Sequence, residues 1–318
     1  MKLQKFMNSW KVLLSGLLLV MLLALAGCSG DSPTVAPKSS EEIAKKITSD
    51  RADYYVDVDW LNQNLAQVMV VDARAEKDYK AGHIPGSINI TWQSLSNMEP
   101  KQGQVGWGVV LPPDKLAAKI GQYGIDGSKP VVVYNDPAGM GEEGRVAWML
   151  KIAGLADTRM LYGGWPAWKS SGQEISRELP GLAPVSFKIS SPDHSRLATT
   201  AYIKSHQKTI KLVDTRSPEE FHGETNHGEK RKGHIPGAIH IHYQDTYSED
   251  GYVKSIPELK AMFAKAGLQP EDDIVTYCTV GIRSGYMAEV LRMCGYEKAN
   301  YNASFSEWCG DPANPVEK

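Results

Sequence analysis

The stretch Asp214-Thr215-Arg216, followed downstream by Gly233-His234-Ile235-Pro236-Gly237, occurs twice in this chain. The first copy is Asp72-Ala73-Arg74 with Gly82-His83-Ile84-Pro85-Gly86, and its Asp-x-Arg lies 142 residues earlier. Each Asp-x-Arg follows an apolar run, and each Gly-His-Ile-Pro-Gly leads into a second short apolar run. A repeat period of this length indicates duplicated domains and not a solenoid.

The repeat extends over most of the chain. The apolar runs 131–134 and 274–277 are each followed by a loop, a helical pattern and a glycine. Short strands that alternate with helical patterns predict an α/β fold, in which a mostly parallel sheet is flanked by helices. We therefore predict two tandem domains. The boundaries are 51–178 for the first domain, 179–196 for a linker without periodicity, and 197–318 for the second domain.

The N-terminal region has the pattern of a targeting sequence. Three lysines precede the fifteen-residue apolar stretch Val12–Ala26, which is shorter than the roughly 20 residues of a membrane span. It ends at Leu25-Ala26-Gly27-Cys28, which looks like a bacterial lipobox. We predict a lipoprotein signal peptide at 1–27, a lipidated Cys28 and a tether at 28–50. The alternative is a plain signal peptide in which Cys28 is incidental.

This N-terminus predicts a cell-envelope protein that is anchored to the membrane by lipid and faces outside the cytoplasm, on the periplasmic side in a Gram-negative host. Without residues 1–27, 32 basic residues stand against 37 acidic ones, a formal charge of −5. A mildly acidic chain gives no support for nucleic-acid binding. The chain has four cysteines but no Cys-x-x-Cys or Cys/His cluster, so no metal site is predicted. The sequence does not decide whether Cys294 and Cys309 form a disulfide.

Cys278 is the candidate nucleophile. It ends the apolar run 274–277 and begins a short glycine-containing loop, after which a helical pattern starts. Such a loop points backbone N–H groups inward beside a helix N-terminus, where an anion binds and a thiolate is favoured over a thiol. The alternative is a buried structural cysteine, which suits Cys294 better. The candidate substrate-binding residues are Thr279, Val280, Gly281, Ile282, Arg283 and Ser284.

Arg283 is interpreted as an anion receptor, because its planar guanidinium offers a fork of donors five residues after the cysteine. The equivalent strand end in the first copy carries Asn135, which is no nucleophile. The loop that follows Asn135 is longer and acidic, so it would repel an anion. We therefore predict that the first domain is catalytically silent.

The Asp-x-Arg pairs occur in both copies, including the silent one. We interpret them as buried carboxylate–arginine pairs that tie loops together. In the second copy, Asp214 and Arg216 are also expected to support the active-site loop. His83 and His234 are assigned to the geometry of their tight turns for the same reason.

Together these motifs resemble the tandem-domain rhodaneses, which are thiosulfate or 3-mercaptopyruvate sulfurtransferases. The resemblance covers nearly all of residues 51–318 and includes Gly163–Trp168 and Ser304–Trp308. It implies that the second domain is active and that the first is an inactive partner. It also implies that Cys278 carries sulfur as a covalent persulfide without another cofactor. The implied partners are a small anionic sulfur donor and a cyanide or thiol acceptor.

The chain departs from the family pattern at two places near the cysteine. Mitochondrial-type thiosulfate enzymes carry a basic residue where this chain has Val280, and an arginine where it has Glu220. Mercaptopyruvate enzymes typically read Cys-Gly-Ser-Gly-Val, which this loop does not match. The preferred donor therefore stays open between thiosulfate and 3-mercaptopyruvate.

Two other classes of function are also considered. Cysteine phosphatases and arsenate reductases use loops that resemble Cys-x5-Arg, whereas this chain has Cys278-x4-Arg283. The second class is a non-catalytic module that binds sulfide or persulfide at the membrane. Turnover with cyanide separates that module from an enzyme.

Overall fold

The computed structural model describes residues 51–318, so the predictions for 1–50, including Cys28, lie outside the described residues. Within 51–318, none of the helices has both the length and the apolar character needed to cross a membrane. The strands are β1 (Tyr55–Val56), β2 (Met69–Asp72), β3 (Ile88–Asn89), β4 (Val131–Tyr134), β5 (Thr158–Leu161), β6 (Leu197–Ala198), β7 (Lys211–Asp214), β8 (Ile239–His240), β9 (Ile274–Tyr277) and β10 (Lys298–Tyr301).

The α-helices lie between these strands as the sequence pattern predicts. They are α1 (Val58–Asn64), α2 (Glu76–Ala81), α3 (Pro113–Gln122), α4 (Glu142–Ile152), α5 (Gly164–Ser170), α6 (Thr200–His206), α7 (Pro218–Phe221), α8 (Ile256–Lys265), α9 (Ile282–Met293) and α10 (Ser304–Gly310). Local sequence explains several helix starts. Ser217 and Ser255 each form a capping box with the glutamate three residues later, and a proline follows each serine at the start of the helix.

The strands form two five-stranded sheets with the same order. The first sheet is ordered β1-β5-β4-β2-β3 and the second β6-β10-β9-β7-β8. Every strand pairing in both sheets is parallel. The prediction of two mostly parallel sheets flanked by helices is therefore confirmed. The central strands β4 and β9 are buried along their whole length. This explains why their sequences are continuous hydrophobic runs and do not alternate between apolar and polar residues.

Helices α4 and α9 follow equivalent central strands and pack against each other. A Cβ at Gly144 would lie 2.4 Å from Cα of Tyr286, and one at Gly285 would lie 3.3 Å from Cα of Arg145. The two helices therefore approach closely only because each has a glycine at the crossing. One continuous buried cluster includes Trp148 of α4 and Leu291 of α9. The two halves of residues 51–318 thus share a core, and α4 lies directly behind the start of α9.

Candidate active site

Cys278 lies at the carboxyl end of β9, one residue past the strand, and is only 1% exposed. The backbone N–H of Gly281 donates a hydrogen bond to its Sγ at 3.1 Å. Gly281 has a left-handed φ of 87° and precedes the first residue of α9. A Cβ at this position would lie 2.8 Å from the carbonyl oxygen of Asn302 and 2.9 Å from Nη1 of Arg145. The loop can therefore turn its amide toward the sulfur only with glycine at position 281.

The segment after β10 holds the backbone of the Cys278 loop from the other side. The N–H groups of Phe305 and Ser306 donate to the carbonyl oxygens of Cys278 and Thr279, each at 3.0 Å. The hydroxyl of Ser304 accepts the N–H of Cys278 at 3.2 Å. Ser304 has a φ of 56°, which is uncommon for a residue other than glycine. Its left-handed backbone places its side chain beside the nucleophile.

The electrostatic environment of Cys278 favours its thiolate. Burial raises the pKa of the thiol, but the positive charge of Arg283 and backbone hydrogen bonds from Ser284 and Val280 outweigh burial. The net effect is a pKa below the ordinary value for cysteine. The twelve-residue helix α9 also begins here, so its N-terminal dipole acts on the sulfur in the same sense.

The side chain of Arg283 does not lie open to an anion, which corrects the interpretation made from the sequence. Its Nη1 and Nη2 lie 2.6 and 2.9 Å from the two carboxylate oxygens of Glu220. Both side chains are buried, and the pKa of Glu220 is lowered to about 2, because hydrogen bonds and charge from Arg283 outweigh burial. The carboxylate occupies the guanidinium fork that the sequence interpretation assigned to a substrate. Arg283 therefore acts on Cys278 as one half of an ion pair.

A second carboxylate joins this pair. The hydroxyl of Thr279 lies 2.8 Å from Oε1 of Glu229 and 3.2 Å from Oε1 of Glu220. It also accepts a hydrogen bond from Nη2 of Arg283 at 2.8 Å. Thr279 thus connects the nucleophile loop to a buried acidic pair. The hydroxyl of Ser284 donates instead to Oδ1 of Asn300 at 2.7 Å, which anchors α9 to β10.

Asp214 and Arg216 form the buried pair that the sequence predicts. Nη2 of Arg216 donates to Oδ2 of Asp214 at 2.6 Å and to the carbonyl oxygen of Gly233 at 2.7 Å. The guanidinium carbon lies 4.2 Å from the ring centroid of Phe305, in the segment that holds the Cys278 loop. The pair therefore ties β7, the Gly-His-Ile-Pro-Gly turn and the segment behind the cysteine together.

The first copy repeats this framework without a cysteine. Arg74 bonds Asp72 and the carbonyl oxygen of Gly82, and its guanidinium lies 4.2 Å from the ring centroid of Trp165. Asn135 stands at the strand end, where its Nδ2 donates to Oε2 of Glu142 at 2.6 Å. This strand end opens into a cavity of about 620 Å³ that is lined in part by those same residues.

His83 and His234 also have matching positions in the two copies. The Nδ1 of each lies within 2.9 Å of a carbonyl oxygen, that of Tyr79 or Phe221, and each imidazole stacks on the ring of that residue. Both contacts are internal to the Gly-His-Ile-Pro-Gly turns and the helices before them. In both domains the histidine therefore stabilises the turn against the helix that precedes it.

Three side chains around Cys278 were not predicted from the sequence. Glu229 carries no motif signal, because it lies in a segment that is longer than its counterpart in the first copy. Ser304 lies in the Ser304–Trp308 motif, but that motif does not indicate a contact with Cys278. Arg145 belongs to α4 of the first domain, yet its Nη2 donates to Oδ1 of Asn302 at 3.0 Å. Glu220 was noticed only as a departure from the family pattern. Its contact with Arg283 depends on how α7 packs against α9.

The other described cysteines are Cys294 and Cys309. Cys294 caps the C-terminus of α9 and is buried. Cys309 is buried and has a free thiol, so no Cys294–Cys309 disulfide is present in the structure. Burial raises the pKa of the Cys309 thiol, in contrast to that of Cys278. Across residues 51–318, the structure shows no group of three or more histidine, cysteine or acidic side chains that could hold a metal ion.

Comparison with known proteins identifies the family. The Rhodanese-like domain family matches residues 57–171 and again residues 198–311. This chain belongs to the Rhodanese-like domain family. The two matches fall on the two five-stranded sheets, so the duplicated rhodanese architecture holds for both halves of the described chain.

The alignments with two similar proteins cover almost the full length of those proteins. A "Putative thiosulfate sulfurtransferase" from Saccharopolyspora erythraea is 31% identical over 283 residues, covering 84% of this chain and 97% of that protein. The sulfur carrier protein TtuD from Thermus thermophilus is 30% identical over 284 residues, covering 83% of this chain and 96% of its own. Among solved structures, the anaerobic ergothioneine biosynthesis enzyme from Chlorobium limicola has a TM-score of 0.76 at 24% identity. That match covers 84% of this chain and 70% of the enzyme.

Proposed function

We propose that this rhodanese-like protein is a sulfurtransferase that moves sulfane sulfur from thiosulfate to cyanide or a thiol through a persulfide on Cys278. The observation that carries the proposal is the pairing of Cys278 Sγ with the Gly281 N–H at 3.1 Å at the start of α9. The lowered pKa of the thiol fits a nucleophile that needs no separate general base. The names of the relatives, thiosulfate sulfurtransferase and sulfur carrier, support the same chemistry.

The proposed reaction has two displacement steps. In the first, the Cys278 thiolate attacks the outer sulfur of thiosulfate, an S–S bond forms on the enzyme, and sulfite leaves with the electron pair of the broken S–S bond. In the second, cyanide or a thiolate attacks the outer sulfur of the persulfide. The acceptor leaves as thiocyanate or as a new persulfide, and the Cys278 thiolate is regenerated. No net oxidation occurs, so no redox cofactor is required.

The N–H groups at the start of α9 are placed to stabilise the thiolate and then the terminal sulfur of the persulfide. Arg283 contributes positive charge, which Glu220 partly neutralises at 2.6 Å. Since the guanidinium fork is occupied, the geometry offers less to a phosphate group than a free arginine would. This occupancy favours sulfur transfer over the phosphatase and arsenate reductase alternatives.

The test compares kcat/KM for thiosulfate and 3-mercaptopyruvate, with cyanide as acceptor, in the wild-type chain and in Cys278→Ser. We expect turnover with at least one donor in the wild type and none in the variant. The ratio of the two kcat/KM values decides the donor. A Cys278→Ser protein with wild-type turnover, or hydrolysis of p-nitrophenyl phosphate in place of sulfur transfer, would overturn the proposal.

We also propose that the protein is a lipoprotein of the cell envelope. This rests on the Leu25-Ala26-Gly27-Cys28 sequence and the apolar stretch before it. The test is incorporation of labelled palmitate in a bacterial host. The wild-type chain should be labelled and Cys28→Ala should not. Equal labelling, or export without label, would contradict the proposal.

A further inference from the structure

Arg145 is a fully buried arginine of the first domain that reaches the active-site loop of the second. It lies on α4, where that helix crosses α9, and its relative exposure is 0%. Its Nη1 lies 3.4 Å from the carbonyl oxygen of Gly281, the residue whose N–H meets Cys278 Sγ. Its Nη2 donates to the carbonyl oxygen of Gly108 at 2.9 Å and to Oδ1 of Asn302 at 3.0 Å. The side chain therefore joins three segments around the nucleophile.

The charge of Arg145 has no carboxylate partner within residues 51–318. All of its hydrogen-bond acceptors are neutral oxygens, and its Nε has no hydrogen-bond partner among the described residues. Its guanidinium carbon lies 4.5 Å from the ring centroid of Trp148, on the same helix. A buried guanidinium without a counter-ion is costly, so it calls for a negative charge close by.

The other charged groups around the loop pair with one another but carry one negative charge in excess. They are Asp214, Arg216, Glu220, Glu229 and Arg283, and they contribute three carboxylates and two guanidiniums. Arg145 makes this set neutral when Cys278 is a thiol. A thiolate then adds one negative charge, and Arg145, unlike Arg216 and Arg283, is not hydrogen-bonded to a carboxylate of residues 51–318. Although burial lowers the pKa of Arg145 to about 9, the negative charge of Cys278 opposes that shift, and the group is cationic at neutral pH.

We propose that Arg145 is a positioning residue of the Cys278 site, supplied by the catalytically silent domain. It holds the carbonyl groups of Gly281 and Gly108 and provides a positive charge, paired with no carboxylate of residues 51–318, that favours the thiolate. If the proposed sulfur transfer is correct, the same charge favours the anionic persulfide. The first domain then serves the reaction through one side chain, and it needs no active loop of its own.

The test measures the pH dependence of Cys278 alkylation by iodoacetamide in the full-length chain, followed by mass spectrometry of the peptide that contains Cys278. In Arg145→Met the midpoint of the profile should rise by about one pH unit relative to wild type. Arg145→Lys keeps a cation but loses the fork, so its midpoint should stay near wild type. This readout needs no sulfur donor, so it can succeed or fail independently of the proposed function.

Lys151→Met is the matched control, because Lys151 lies on the same helix and is also buried, with Nζ 2.7 Å from Glu289. It loosens the contact between α4 and α9 without removing the charge near Cys278, so its midpoint should not move. His227, whose Nε2 lies 3.8 Å from Glu220, is the same in every variant. An unchanged midpoint in Arg145→Met would overturn the proposal, and so would an equal rise in Lys151→Met or Arg145→Lys. If Arg145→Met does not fold, Arg145→Gln replaces it with the same expectation.

Discussion

The two strand ends at Asn135 and Cys278 have the same backbone support and opposite chemistry. In both domains a residue after the last strand donates its N–H to the carbonyl oxygen at the strand end, Trp165 to Asn135 at 2.8 Å and Phe305 to Cys278 at 3.0 Å. The left-handed glycine before the next helix follows six residues after Asn135 but only three after Cys278. The short loop brings the glycine N–H to the sulfur, whereas the long loop brings the carboxylate of Glu142 to the amide. Loop length therefore decides which strand end can stabilise an anion.

The first turns of the helices that follow these glycines also differ in charge. The second residue of α4 is Glu143 and the second residue of α9 is Arg283. Arg283 has a carboxylate partner in Glu220, whereas one carboxylate oxygen of the buried Glu143 has no hydrogen-bond partner within residues 51–318. The duplicated framework thus carries an ion pair beside the cysteine and, at the equivalent place in the first copy, an acid without an ion-pair partner among the described residues.

The largest change in activity is expected when the thiol is moved from one strand end to the other. Cys278→Ser should lower sulfur transfer on the order of 1,000-fold or more, as the loss of a nucleophile does. Adding Asn135→Cys to that variant should restore nothing, because Glu142 would face the new thiol and raise its pKa. Steady-state thiosulfate:cyanide assays measure both. Activity that returns in the double variant would show that loop length is not decisive.

The next comparison concerns Glu143 and the pH dependence of stability. Burial and the neighbouring charge of Glu142 raise the pKa of Glu143 to about 7 from an ordinary 4.5. The folded state then holds a proton that the unfolded state has released, so stability should fall as pH rises from about 4.5 to about 7. Glu143→Gln removes this cost, so it should be more stable than wild type at pH 8 by up to about 3 kcal/mol.

Urea unfolding of both proteins at pH 5 and pH 8 measures this effect. The stability difference should shrink to roughly a quarter of its pH 8 value at pH 5, where Glu143 of the folded wild type is protonated. A difference of the same size at both pH values would mean that Glu143 does not titrate near pH 7.

The packing of α4 against α9 should be destabilised when a glycine at their crossing is replaced by a larger residue. A Cβ at Gly144 would lie 2.4 Å from the backbone of Tyr286, so Gly144→Ala should lower the free energy of unfolding by about 2 kcal/mol. Gly181→Ala is the control, because nothing lies within 4 Å of a Cβ there and its φ is not left-handed. Thermal unfolding compares the two. Equal stability would show that α4 and α9 can separate at little cost.

The smallest expected effect concerns the ion pair beside the cysteine. Glu220→Gln leaves the charge of Arg283 uncompensated, so the KM for dianionic thiosulfate should fall by a factor of roughly 3 to 10, the effect of a free energy of about 1 kcal/mol. Glu224→Gln removes an exposed carboxylate from the same segment and should leave KM unchanged. If KM rises in Glu220→Gln, the carboxylate positions Arg283 for the donor and does not merely neutralise it.

Much of the fold was predictable because it is repeated. Two copies of Asp-x-Arg and Gly-His-Ile-Pro-Gly indicated duplicated sheets and buried ion pairs, and a cysteine at one strand end indicated the candidate nucleophile. The partners of Arg283 and Thr279 were not predictable. Arg216 reaches a carbonyl 17 residues on, whereas Arg74 reaches one only 8 residues on. The longer segment supplies Glu220 and Glu229.

Arg145 could not be found from the sequence for a different reason. It has no motif, and its relation to Cys278 exists only because α4 crosses α9 at two glycines. Residues from one copy become part of the other copy's site through this packing. A repeat predicts the motifs and strands of each copy, but it does not predict which side chains of one copy contact the site of the other.

The most direct test of the account is the mass of the Cys278 peptide after the purified chain is incubated with thiosulfate and freed of donor. If Cys278 is the nucleophile, this peptide gains the mass of one sulfur atom, cyanide removes the added sulfur, and Cys278→Ser gains none. The peptides that contain Cys294 and Cys309 should keep their mass. Steady turnover with the added sulfur on another cysteine, or with none on Cys278, would contradict the assignment of Cys278 as the nucleophile.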